Sequence, residues 1–434
     1  MKYNPIDKSL FVKNRLKFKQ QMVSKSIAVF NSNDIFTTGA DSSLAFHQHR
    51  NIFYLSGIDQ EESILVLFPD STDPLLTEIL FIKKTSEEMA VWEGLKLSKD
   101  QASEISGIKS IFWLDQFDEI FKKQMLDSEI FYFNNNDHYR QKVEIETRED
   151  RFLKMISSKY SNHKILYSYP IMELLRGVKE KEEIDLISNA CAITEKAFRR
   201  VLKILRPGLT EYEIEAEYAY EFLRNRSKGF AYSPIIASGG NACILHYTEN
   251  NKICNDGDML LMDVGAEYAN YSSDMTRTVP VNGKFSDRQK AVYQAVLNVK
   301  NEATKLLVPG TMWNDYHVEV GKLMSSELIG LGLIDRLDIK NQDDNNPAYK
   351  KYFMHGTSHH IGLDTHDFGQ LKAPMLPNMV FTVEPGIYIP EENLGIRLED
   401  DVVIQSSGSP RNLMNNIPIE IEEIEDLMNS QEKL

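Results

Sequence analysis

Three cysteines, Cys191, Cys243 and Cys254, are all that a chain of 434 residues carries. Their odd number and their spacing build no disulfide framework and no cysteine metal motif, which fits a reducing compartment. No apolar run approaches the roughly 20 residues needed to span a bilayer. The basic opening "MKYNPIDKSLFVKNRLKFKQQM" lacks the continuous apolar stretch of a signal peptide. An excess of positive charge is also missing. A net charge of −15 suits neither nucleic acid nor an anionic membrane as partner. Together these absences predict a cytoplasmic protein with no nucleic-acid or membrane partner. What is present, 42 % hydrophobic and 26 % charged residues, is ordinary for a folded chain whose length suits two domains.

The first part reads as a mixed α/β domain. Short apolar runs at 27–30, 64–68, 79–82, 111–114 and 130–133 predict buried strands. Amphipathic stretches at 10–23, 117–126 and 143–155 predict helices. His47 and His49, in the polar "FHQHRN", fit surface or hydrogen-bonding roles better than a metal site. The polar "SSKYSNHK" before Pro170 places the boundary near residue 170, giving domains 1–170 and 171–434.

The second domain opens with a long helix carrying Ile184, Ile187, Cys191, Phe198 and Val201 on one face. It then shows a faint internal repeat. "LKILRPGLTEYEIEAEYAYEFL" and "TKLLVPGTMWNDYHVEVGKLM" share a plan of helix end, Pro-Gly and a new helix, with Thr210 and Glu213 at capping-box spacing. Ser286 and Gln289 repeat that spacing before the helix that leads to the second copy. Each copy runs towards a histidine-bearing stretch and then a β-hairpin, which predicts a duplicated α+β half. The polar "NQDDNNP" at 341–347 reads as a loop.

Acidic residues then appear where they are costly. Asp263 directly follows the apolar "MLLM", and Asp274 lies on the returning strand of "GDMLLMDVGAEYANYSSDMTRTVPV". A turn near Tyr268 and Ala269 sets the two carboxylates opposite each other, about 5 Å apart. Taken alone, they also fit turn caps or partners of Arg277. The second half repeats the arrangement: "MVFTVEPGIYI" and "GIRLEDDVVI" carry Glu384 and Glu399, with Arg397, Glu399 and Asp401 on one face. Four acids aimed into one interior repel unless cations lie between them, and Arg277 and Arg397 are the only evident basic partners. One imidazole from "HGTSHHIGLDTHD" completes a set of hard oxygen donors with one nitrogen. That set suits a pair of divalent ions such as Mn²⁺, Co²⁺, Fe²⁺ or Zn²⁺, which activates water and polarises the bond to be cleaved.

The segments "HGTSHHIGLDTHD", "LLMDVGAEY", "SSDMTRT", "FTVEPGIY" and "RLEDD" resemble, in order, those of the pita-bread metallopeptidases, and within them the aminopeptidase P and prolidase group. The resemblance covers the whole second domain. It extends more weakly to the first, through "HRNIFYLSGIDQEESILVLF". Thr365 departs from the usual Val or Ile but stays β-branched. The fold implied is α+β: a C-terminal pita-bread domain with a pseudo-two-fold repeat, behind a smaller mixed α/β domain.

Carried over residue by residue, the resemblance implies Asp263, Asp274, His359, Glu384 and Glu399 as metal ligands, with Asp274 and Glu399 bridging two ions, manganese first. His246, His355 and His366 resemble substrate-site histidines, and Arg397 a residue orienting the ligand strand. Tyr388 is implied near the site. His360 is expected to point away from it and His317 to lie on the surface. The implied reaction is hydrolysis between an N-terminal residue and a following proline, with Glu384 moving the proton. The implied assembly is a homodimer or homotetramer in which Trp92 of the first domain makes a subunit contact. Prolidase, acting on Xaa-Pro dipeptides alone, shares the ligands and is the alternative. A creatinase-like metal-free hydrolase would not need all five ligands, and a non-catalytic pita-bread binding protein should have lost some. A methionine aminopeptidase would lack this first domain.

Overall fold

The apolar runs of the first 133 residues all become strands of one sheet. In the computed structural model, which describes all residues except 1–2, 136–137, 139, 141–143, 344–345 and 431–434, the sheet has six strands. Their spatial order is Ser110–Trp113, Glu78–Ile82, Ile64–Leu67, Ser26–Asn31, Ile130–Phe133, Lys164–Tyr167. The two pairings among Ser26–Asn31, Ile64–Leu67 and Glu78–Ile82 are antiparallel and the outer three are parallel. The central strands are buried on both faces, which is why their sequences run continuously apolar instead of alternating. Ile27, Val29, Val66, Phe81 and Phe131 pack against Phe121 and Ile156 from flanking helices.

Helices Lys8–Gln21 and Phe117–Asp127 fall close to where periodicity puts them. The stretch expected to be helical from Val143 begins outside the described residues; the helix itself spans Arg148–Lys159. The strand Lys164–Tyr167 is not expected from the sequence. It is short and half-exposed, and the polar lead before it reads as a linker. Because that strand pairs with Ile130–Phe133, and Tyr54 donates from its hydroxyl to the Leu175 carbonyl at 3.2 Å, the first unit continues past residue 170 to Leu175.

The second unit begins at Arg176. Its long helix, Lys181–Ile204, buries Ile184, Ile187, Cys191, Phe198 and Val201. The repeat then unfolds twice. Helices Glu211–Arg224 and Trp313–Gly330 each follow a Pro-Gly turn in which the glycine is left-handed, Gly208 at φ 93° and Gly310 at φ 92°. Both expected capping boxes are formed, Thr210 with Glu213 and Ser286 with Gln289. One half supplies an antiparallel sheet of Ile235–Ser238, Met259–Val264 and Met275–Pro280, and the other Val380–Val383, Asp400–Val403 and Arg411–Asn412. Each is prolonged by a hairpin, Glu267–Tyr268 with Tyr271–Ser272 in the first and Gly386–Ile389 with Leu394–Arg397 in the second. Part of the loop expected at 341–347 lies outside the described residues. Among the described residues no helix is long and apolar enough to cross a membrane.

Candidate metal centre

The acids sit where these ladders pause. Asp263 lies near the end of Met259–Val264, in register with Thr276. Asp274 falls in the gap between Tyr271–Ser272 and Met275–Pro280, so the same register sets it opposite Gly265. Only glycine fits there, since a Cβ would lie 1.8 Å from the Ser273 carbonyl oxygen. The two carboxylates are therefore diagonal neighbours, not the directly opposed pair expected. The turn is centred on Ala269 and Asn270, both left-handed at φ 53° and 67°. Moving a hairpin's centre by one residue moves the pairing by two, which keeps the same face. The Tyr232 hydroxyl spans both acids, 2.7 Å from Asp263 Oδ1 and 2.6 Å from Asp274 Oδ1.

In the second half, Glu384 and Glu399 occupy the gap between two ladders of one register. The pairs Val383 with Asp400 and Gly386 with Arg397 flank them, so they face each other. His359 comes in from the histidine segment, its backbone N–H donating to Thr382 Oγ1 at 3.1 Å. Its Nδ1 lies 3.0 Å from the His360 carbonyl oxygen. That contact requires the proton on Nδ1 and leaves Nε2 as a lone-pair donor. Nε2 stands 3.4 Å from Asp274 Oδ2 and 3.5 Å from Glu384 Oε1.

A lone pair facing two carboxylates is repulsive unless a cation or a proton lies between them. Asp274, His359 and Glu399 each offer one donor atom, all within 4.8 Å of one another. Burial and the neighbouring Asp263 push the Asp274 carboxyl well above its ordinary range. Burial, with Asp274, Glu384 and Asp263, does the same to Glu399. Burial carries Glu384 up to about 7 against the pull of His359. These shifts mark missing positive charge. Arg277 does not supply it: its guanidinium is held by Asp400 at 2.6 Å and by the carbonyls of Thr276, Glu399 and Pro418. The pairing of Arg277 with Asp263 or Asp274 that the sequence also allowed is thus not formed. The donor set fits divalent cations: hard oxygens, one imidazole nitrogen and a surplus of negative charge.

Arg397 reaches three partners at once. It donates to Asp263 Oδ2 at 2.6 Å, to the Tyr388 hydroxyl at 2.9 Å and to Thr276 Oγ1 at 3.1 Å. Thr276 in turn donates to Glu399 Oε2 at 2.6 Å. His355 Nε2 lies 2.7 Å from the Tyr388 hydroxyl, and its Nδ1 3.8 Å from Glu384 Oε2. The His366 ring lies 3.9 Å from that of His359, centre to centre, the two planes tilted by 40°. His246 is not brought into hydrogen-bond contact with the acids among the described residues; it is exposed, beyond the turn Gly239–Cys243. His360 is buried with its ring 4.2 Å from Phe381. His49 caps the helix Arg50–Ser56.

His317 departs from its expected surface position. It is half-buried against Trp313 and Tyr316, and burial lowers it to about 4. Tyr232 and Thr276 went unnoticed in the sequence because neither has a telling spacing to the acids. Asp401 is buried beneath the site and accepts the Asp274 N–H at 3.1 Å.

Residues 185–406 match the model of metallopeptidase family M24 and residues 11–132 that of the aminopeptidase P N-terminal domain. The Xaa-Pro aminopeptidase of Escherichia coli (strain K12) is 33 % identical over 98 % of each chain. Xaa-Pro aminopeptidase 3 of Homo sapiens is 31 % identical over 91 % of this chain and 79 % of its own. Among solved structures, aminopeptidase PepP of Pseudomonas aeruginosa superposes with a TM-score of 0.88 at 31 % identity, over 98 % of each chain. Zn-substituted E. coli aminopeptidase P in complex with product gives 0.86 at 31 % identity, over 98 % of this chain and 99 % of that one. The chain therefore belongs to metallopeptidase family M24, as a metallo-aminopeptidase of the aminopeptidase P type whose pita-bread catalytic domain follows the N-terminal domain of that group.

Proposed function

We propose that this enzyme releases the N-terminal residue from peptides whose second residue is proline, using two divalent ions, manganese first, with Co²⁺, Fe²⁺ and Zn²⁺ as alternatives. The observation that carries the reading is the convergence of His359 Nε2 with carboxylates that lack a counter-charge. Asp263, Asp274, His359, Glu384 and Glu399 would hold the metal. When bound, the metal supplies Lewis acidity, activating water and polarising the scissile carbonyl.

The chain's own groups do the rest. Glu384 accepts a proton from the attacking water and delivers it to the leaving proline nitrogen. His355 or His366 would donate a hydrogen bond to the carbonyl oxygen as negative charge develops there. Both ring nitrogens of His355 are engaged, Nδ1 2.8 Å from the Gly356 carbonyl oxygen and Nε2 2.7 Å from the Tyr388 hydroxyl, which Arg397 fixes in turn, so His355 donates to substrate only by releasing one of them. The substrate's free amine lies towards Asp263, and exposed His246 lines the approach of the peptide. Relatives named Xaa-Pro aminopeptidase over nearly the whole chain support this reading over a dipeptidase.

The first domain, ending at Leu175, serves assembly and substrate access, and the second, from Arg176, catalysis. Trp92 is 82 % exposed beside exposed Val91 and Leu95, which supports a homodimer or homotetramer in a cytoplasmic enzyme. Sedimentation of a fully active monomer would remove that part. The activity itself is tested by Glu384→Ala: kcat should fall by about 10²–10⁴ and metal should bind more weakly. A fully active, metal-loaded variant would overturn the assignment.

A further inference from the structure

The histidine segment is tied down by a cluster of buried charges outside the acids discussed so far. Arg176 Nη2 donates to Asp364 Oδ2 at 2.7 Å and also contacts Asp367 Oδ1. These two carboxylates flank Thr365 and His366 in "LDTHD". Asp367 is held further by Lys179 Nζ at 2.9 Å and by the Phe368 N–H at 2.8 Å. The Arg176 guanidinium lies 4.3 Å over the Phe368 ring. The Asp367 N–H donates to the His360 carbonyl at 2.9 Å, closing the turn that carries His366 back over His359.

The side chains of Arg176, Lys179 and Asp367 are at most 2 % exposed, while that of Asp364 is 37 % exposed. Burying such charges brings little net stability, since apolar residues of similar volume commonly serve as well. What the guanidinium adds is geometry: both carboxylates meet the one nitrogen Nη2, whose N–H bonds are fixed in the plane of the group, whereas a lysine ammonium turns freely on its stem. Here the fixed pair brackets one histidine.

We infer that Arg176 is a positioning residue: it clamps Asp364 and Asp367 on either side of His366 and so sets that imidazole for the reaction without touching substrate. This rests on the reading of His366 as a substrate-facing group. The test is a double-mutant cycle on the metal-loaded enzyme with an Xaa-Pro-Yaa peptide. Asp364→Ala opens one jaw at a half-exposed position and leaves Asp367 paired, so the fold is kept.

Asp364→Ala should lower kcat about tenfold, with KM, bound metal and Tm held near those of the parent. In a His366→Ala background the same change should alter kcat by less than about twofold. Arg176→Lys should reproduce the loss seen with Asp364→Ala. Equal losses in both backgrounds, or an Arg176→Lys enzyme with parental kcat, would overturn the clamp alone. A His366→Ala enzyme with unchanged kcat would instead overturn the reading beneath it, and the clamp with it.

Discussion

Arg397 holds Asp263 at 2.6 Å and, from the same guanidinium, the Tyr388 hydroxyl that meets His355. One side chain thereby links Asp263 in one half of the repeat to His355 beside the other. Lysine keeps the charge but not the planar fork. Arg397→Lys should cost about 10–100-fold in metal affinity or activity, measured by metal titration and by kcat at saturating metal. Parental values for both would remove Arg397 from the account.

The acids also set the pH response of the metal-free protein. Glu384 is raised from 4.5 to about 7, and Asp274 and Glu399 move in the same direction. Between those limits the folded chain binds more protons than the unfolded one, so stability falls as pH rises. Chelator-treated protein should melt at a lower temperature at pH 7.5 than at pH 5.5. Metal, by replacing the protons, should flatten that slope, and its binding near neutral pH should release protons measurable by calorimetry in buffers of different ionisation heat. A metal-free protein that gains stability across this range would contradict the raised carboxyls of Glu384, Asp274 and Glu399.

Tyr232 donates between Asp263 and Asp274 at 2.7 and 2.6 Å. A phenol has one proton to share between them, so it orients both carboxylates without neutralising either. Tyr232→Phe should fold normally and bind metal about tenfold more weakly, as read by competition with a chelator. Unchanged affinity would reduce the tyrosine to packing.

Glu211, the first residue of the helix Glu211–Arg224, accepts from the Ser238 N–H and hydroxyl, the Asn241 amide, the Tyr247 hydroxyl and the Lys252 N–H. It organises the loop that carries His246. Glu211→Ala strands several buried donors, each worth about 1–3 kcal/mol. The expected result is a large loss in denaturant stability, with Glu211→Gln intermediate. A loss below about 1 kcal/mol would show that the loop holds itself.

Much of this was legible in the sequence because burial writes plainly. Strands such as Ile64–Leu67 are covered on both faces and so read as unbroken apolar runs. Asp263 stands out because an acid after "MLLM" needs a reason. The histidine segment carries its own signature. The register of the first hairpin was not legible, since left-handed Ala269 lacks the usual turn signature and the turn moved by one residue. Tyr232 could not be found by spacing, because only the folded sheet brings "FAYSP" over the acids. His317 differs: Trp313, one turn earlier on the same helix, and adjacent Tyr316 cover it, a contact that i, i+4 spacing in the sequence already allows.

The most direct measurement is hydrolysis of an Xaa-Pro dipeptide and of an Xaa-Pro-Yaa peptide by chelator-stripped enzyme, before and after Mn²⁺. The account predicts no cleavage without metal, and metal-restored release of the first residue from the longer peptide. Restored cleavage of the dipeptide alone, or full activity without metal, would contradict it.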